Sequence, residues 1–157
     1  CTNGCKYCFL QATKDNFTKP RILADATKAI SCLFSSKYYT TNIPVCLLPN
    51  TDPFLNDKNI SYTKEMLDIL AKNKISNPII LITKCLIPNE FVDYLSNLIK
   101  NGMNIVVYLS LSGLSKFYEP NINHANIKIN FCNLASKGIK IIFLTNSPLL
   151  KFSKVIF

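Results

Sequence analysis

Apolar residues along the chain fall alternately into short unbroken runs and into stripes at helical spacing. Ile43 to Leu48 is apolar and stops at Pro49-Asn50, which reads as a buried strand. Pro78 to Thr83, Ile105 to Leu111 and Ile139 to Leu144 are three more runs of strand length. Upstream of the first run, Pro20 is followed by Ile22, Leu23, Ala26, Ala29, Ile30 and Leu33 at helical spacing. Ser61 begins a second helix, whose stripe is Met66, Leu67, Ile69 and Leu70 up to Asn73. Pro88-Asn89-Glu90 opens a third helix carrying Phe91, Val92, Leu95, Leu98 and Ile99, closed by Asn101-Gly102. Asn126 to Lys137 forms a fourth, with Ile127, Phe131, Leu134 and Ala135 on one face and Gly138 at its end.

Near-continuous apolar strands separated by amphipathic helices predict an α/β protein. Its strands run parallel and are covered on both faces or closed into a barrel. Right-handed crossovers then place every strand C-terminus on one edge, where such proteins put their ligand sites. The residues after each strand are polar there. They are Asn50-Thr51-Asp52-Pro53-Phe54, Thr83-Lys84, Ser110-Leu111-Ser112-Gly113 and Thr145-Asn146-Ser147-Pro148.

The chain's 157 residues suffice for one domain with a real core. Apolar content of 48% against 17% charged excludes a disordered chain. No apolar run approaches the ~20 residues that span a bilayer, so no membrane partner is expected. The net charge is +9, but the only arginine is Arg21 and the lysines are scattered. Charge alone therefore leaves nucleic-acid contact open without favouring it.

The chemistry sits at the start. Cys1, Cys5 and Cys8 stand at C-x3-C-x2-C spacing with Tyr7 just before the third. Three thiolates so close can hold three corners of a 4Fe-4S cluster, leaving one iron open to a small molecule. Zinc is the alternative, but a second C-x2-C knuckle is absent and the only histidine, His124, is far away. Seven cysteines is an odd number and no signal peptide is visible, which argues against disulfides and for a reducing cytoplasm.

The spacing resembles the radical S-adenosylmethionine (radical SAM) superfamily signature, C-x3-C-x-aromatic-C. The later order of Thr51-Asp52-Pro53-Phe54, Ile82-Thr83-Lys84, Ser110-Leu111-Ser112, Glu119-Pro120 and Lys137-Gly138-Ile139 resembles the spore photoproduct lyase-like branch. That resemblance implies a partial (β/α)6 TIM-barrel-like domain over residues 1–157 that lacks its first strand, with both ends reading as cut. It implies a 4Fe-4S cluster on Cys1, Cys5 and Cys8 and reductive cleavage of SAM to a 5′-deoxyadenosyl radical. The electron comes from a reductant such as flavodoxin or ferredoxin, and the substrate is unassigned. A non-catalytic zinc or iron–sulfur module and an inactive truncated remnant are the rival readings.

Carried over residue by residue, Tyr7 falls near the adenine, and Thr51-Asp52 where relatives bind the methionine amino group. Lys84 matches a lysine on the SAM carboxylate, as a compact point charge suits. Ser110 or Ser112 matches a serine near the carboxylate or ribose, and Glu119 a residue near the ribose. Two departures stand out. The arginine after Glu-Pro is replaced by Asn126-Ile127-Lys128, and Asn50 stands where spore photoproduct lyases carry a hydrogen-donating cysteine, with Cys46 four positions earlier. Cys32, Cys46, Cys85 and Cys132 read as small buried groups, Cys85 alone being near the pocket. His124 reads as a loop or helix-start residue, and the Tyr38-Tyr39-Thr40-Thr41 segment as packing.

Overall fold

A computed structural model describes residues 1–8, 10, 22–145 and 155–156. Asp25 caps the first helix, α1 (Ala26–Phe34), by accepting the Lys28 amide at 2.7 Å. The helix therefore starts later than the apolar spacing predicts. Ile22 and Leu23 precede the cap and are exposed, while Pro20 lies outside the described residues. Strand β1 (Val45–Leu47) follows and ends at Leu48, whose φ of 51° turns the chain out of the sheet. Asn56 caps α2 (Asp57–Lys72) through the Asn59 amide, one turn before the expected start. The first turn is polar, so no apolar stripe announces it.

Strand β2 (Ile79–Thr83), α3 (Asn89–Lys100), β3 (Ile105–Leu111), α4 (Ala125–Ser136) and β4 (Lys140–Thr145) come next in the predicted order. β1 to β4 are parallel and pair in sequence order, with Val45 beside Ile79, Ile79 beside Ile105 and Val107 beside Ile141. A short β5 (Val155–Ile156), which the apolar runs did not reveal, pairs antiparallel with β4. Among the described residues the sheet runs from β1 to β5. No helix among them is long and apolar enough to cross a membrane.

Each helix meets the next. Tyr94 of α3 donates to Asp68 of α2 at 2.6 Å, and Lys137, just after α4, pairs with Asp93 of α3 at 2.6 Å. Sequential parallel pairing with right-handed crossovers puts the helices on one face of the sheet. The strands show this in their burial. Ile79, Leu81 and Thr83 are buried, and Ile80 and Ile82 between them are only half-buried. Leu67, Leu70, Leu81, Leu95, Val107, Leu109 and Leu134 form the sealed centre. Each such side chain contributes about 1.5–3 kcal/mol by leaving water.

α4 departs from its predicted stripe. Ala135 is exposed, and Asn130 is fully buried instead. Its amide accepts the Ile87 amide at 2.9 Å and donates to the Cys85 carbonyl at 2.8 Å, tying α4 to the loop after β2. Cys32 and Cys132 are exposed rather than buried, because both fall on the outer sides of their helices. Tyr39 packs edge-on against Phe34 and donates to Asn77 at 2.8 Å, whereas Tyr38 is exposed.

Candidate functional site

The site grows from the C-terminal ends of the parallel strands. Beyond β1, the Thr51 amide bonds back to the Leu48 carbonyl at 3.1 Å and closes a turn that points Asp52 inward. Asn59 in the first turn of α2 donates to the Asp52 carbonyl at 2.8 Å and reaches Thr51 Oγ1 at 3.5 Å. The Asp52 side chain then gathers its own donors. Oδ1 accepts the Phe54 amide at 3.0 Å and the Thr83 hydroxyl at 2.7 Å. Oδ2 accepts the amides of Lys84 at 2.7 Å and Cys85 at 3.3 Å. A carboxylate offers about four lone-pair sites, so these donors fill it.

β2 and β3 deliver a second carboxylate-centred cluster. Glu119 is 1% exposed and receives Lys84 Nζ at 2.9 Å on Oε1 and the Ser112 hydroxyl at 2.6 Å on Oε2. The Tyr7 hydroxyl donates to the same Oε1. Lys84 also donates to the Ser110 carbonyl at 3.0 Å, with its ammonium 5.9 Å from the centre of the Tyr7 ring. Burial alone would raise the Glu119 pKa, but the bonds from Ser112, Tyr7 and Lys84 win and hold it below the ordinary value. Burial and the same carboxylate push the Tyr7 phenol well up, so the hydroxyl stays a donor. His124 ends the cluster at the start of α4. Its Nε2 is buried 3.4 Å from Glu119 Oε2, within ion-pair reach but outside hydrogen-bond geometry.

The cysteine loop docks on this edge. The Lys6 amide donates to the Tyr118 carbonyl at 2.9 Å, and Asn121 donates to the Thr2 carbonyl at 2.8 Å. Buried Asn3 receives the Cys85 thiol at 3.6 Å. A turn brings the Cys8 amide to the Cys5 carbonyl at 3.1 Å. Burial pushes the Cys5 thiol up and Glu119 adds to it, while Lys84 and Tyr7 oppose. The nearby Cys8 raises the Cys5 thiol a little further.

The structure thus brings together Tyr7, Lys84, Ser112 and Glu119 in direct contact, with the Ser110 backbone alongside. Thr51 and Asp52 form a neighbouring cluster joined to it through Lys84. Asn146, Ser147 and Pro148 lie outside the described residues. Asn3, Asn59 and Asn121 were not singled out from the sequence. Only Asn3 carried a signal, its place inside the cysteine motif.

As a donor set, three thiols in one short loop suit an iron–sulfur cluster. Among the described residues, no three His, Cys, Asp or Glu side chains converge as they would round a single ion. No family model, curated protein or solved structure matches the chain.

Proposed function

We propose that this chain is a radical SAM domain, its four parallel strands belonging to a (β/α)6 TIM-barrel-like fold. In this reading Cys1, Cys5 and Cys8 hold a 4Fe-4S cluster, and SAM lies against Tyr7, Lys84, Ser110, Ser112 and Glu119. What carries it is the docking of the three-cysteine loop on the C-terminal strand edge, fastened there through Tyr7 and Glu119. A structural metal knuckle has no need of a buried polar cluster beside it. When bound, such a cluster supplies the electron for reductive cleavage of SAM, with flavodoxin or ferredoxin as the reductant class.

The chain's own residues do the positioning. Glu119 fixes the Tyr7 ring through its hydroxyl, presenting a flat face beside the third cysteine. Lys84 offers the site a cation, held between Glu119 and the Ser110 carbonyl until a ligand carboxylate competes for it. Asp52, filled by backbone and Thr83 donors, acts by fixing the position of Lys84. Buried Ser110, Ser112 and Glu119 keep water out of the floor. The substrate is left open.

Anaerobic reconstitution with iron and sulfide tests this. The expected result is a broad visible absorbance that dithionite bleaches, followed by release of 5′-deoxyadenosine from SAM. Cys5→Ser should lose the iron and keep the fold. A colourless, zinc-loaded protein would favour the structural-module reading, and a cluster without SAM cleavage an inactive remnant.

A further inference from the structure

Residues 118–121 meet the cysteine loop at several points. The Tyr118 carbonyl accepts the Lys6 amide, the Glu119 carboxylate accepts the Tyr7 hydroxyl, and the Asn121 side-chain amide donates to the Thr2 carbonyl. Gly4 passes directly beneath them. A Cβ there would lie 3.2 Å from Asn121 Nδ2 and 3.4 Å from Pro120 Cγ, and its φ of +67° already suits glycine. Just upstream, Phe117 receives the Lys6 ammonium 3.3 Å above its ring.

The strap is itself tied down. Its Glu119 amide bonds to the Ser115 carbonyl at 3.2 Å, and the buried Ile122 bonds back to the Glu119 carbonyl at 3.2 Å. The Glu119 side chain touches both partners, Tyr7 on the loop and Ser112 and Lys84 on the strand ends. A hydrogen bond to a charged group contributes about 1.5–3 kcal/mol against about 1 kcal/mol for a neutral one, so the bond from Tyr7 to the Glu119 carboxylate is the strong kind among the described ties.

We infer that Tyr118–Asn121 is a clamp that sets the cysteine loop on the strand ends before any cofactor arrives, with Glu119 as its positioning residue. This rests on the preceding reading only in taking the loop thiols as ligands. A loop ordered in advance gathers its thiols without an ordering cost at the moment of binding.

The test is amide hydrogen exchange on the full chain without iron, read at Lys6 in the loop and at Val107 in the central strand. Glu119→Ala should raise exchange at Lys6 at least about tenfold with Val107 unchanged, as expected when one local unit opens. Glu119→Gln keeps an oxygen for Tyr7 and should raise it less. Tyr7→Phe removes only the hydroxyl and leaves Glu119 paired with Lys84 and Ser112, so it folds and should still loosen Lys6. The clamp is overturned if Lys6 exchange is unchanged in Tyr7→Phe and Glu119→Ala, or rises only in step with Val107. Iron uptake is measured separately. A protected loop that takes up no iron defeats the cluster reading alone, whereas iron uptake with a loop indifferent to both variants defeats the clamp alone.

Discussion

The Asp52 carboxylate accepts the backbone amide of Lys84 at 2.7 Å, joining the loop after β1 to the end of β2. The same carboxylate holds Thr83, Phe54 and Cys85, so two strand ends share one acceptor. Asp52→Ala strips all four donors of their partner inside a buried site. The expected loss is about 2–4 kcal/mol, read as a lower denaturant midpoint with an unchanged slope. Asp52→Asn should lose nearly as much, because its amide group turns a donor toward donors.

Lys84 and Glu119 form an ion pair with side chains 12% and 1% exposed. Removing one partner from a pair this buried leaves a charge without compensation. Lys84→Met should cost about 3 kcal/mol. Adding Glu119→Gln should return part of that loss, since the stranded charge goes with it. A double-mutant cycle on unfolding free energies measures the coupling, and additive losses would show that the two residues act independently.

The order from α1 to β4 was legible because β1 to β4 fall in near-continuous apolar runs separated by residues at helical spacing, whereas β5 lay outside those runs. α3 was plain for a local reason, with Pro88 at its start and Gly102 at its end. α1 and α2 were misjudged at their starts because a cap, Asp25 or Asn56, decides a helix start more firmly than apolar spacing does. The strand-end placement of Asp52, Lys84 and Ser112 followed from parallel topology alone. Their partners did not. Tyr7 and Glu119 are 112 positions apart, and nothing local foretells that one phenol will meet one carboxylate. Asn130 was hidden for the opposite reason, as a polar residue on a helix's buried face that serves the backbone of a loop.

Glu119 makes stability depend on pH in one direction. Its pKa in the folded chain lies below the ordinary 4.5, through Ser112, Tyr7 and Lys84 acting against burial. The stabilisation is therefore complete above the ordinary value and is lost as pH falls through the folded one. Tyr7 and Cys5 from the loop, Lys84 after β2 and His124 before α4 are the other titratable groups around it. Denaturant midpoints taken from about pH 6 down to about pH 3 should fall, and should fall less steeply in Glu119→Gln. Parallel curves for the two chains would refute a depressed carboxyl.

Cys85 offers a readout of the pocket that needs no cofactor. Burial, followed by the nearby Asp52 carboxylate, pushes its thiol up to about 12, against the hydrogen bond to Asn3. Only the thiolate attacks an alkylating reagent. Cys32 and Cys132, being exposed, serve as internal references in the same chain. At about pH 8.5, iodoacetamide should label Cys85 at least about tenfold more slowly than either reference, as site-resolved mass spectrometry would record. Asn3→Ala removes the one neighbour that opposes this rise, so the slow labelling should persist. Asp52→Asn should speed it by removing the adjacent negative charge. Labelling of Cys85 as fast as the references in the unaltered chain would mean that the end of β2 stands open to solvent rather than roofed by the cysteine loop.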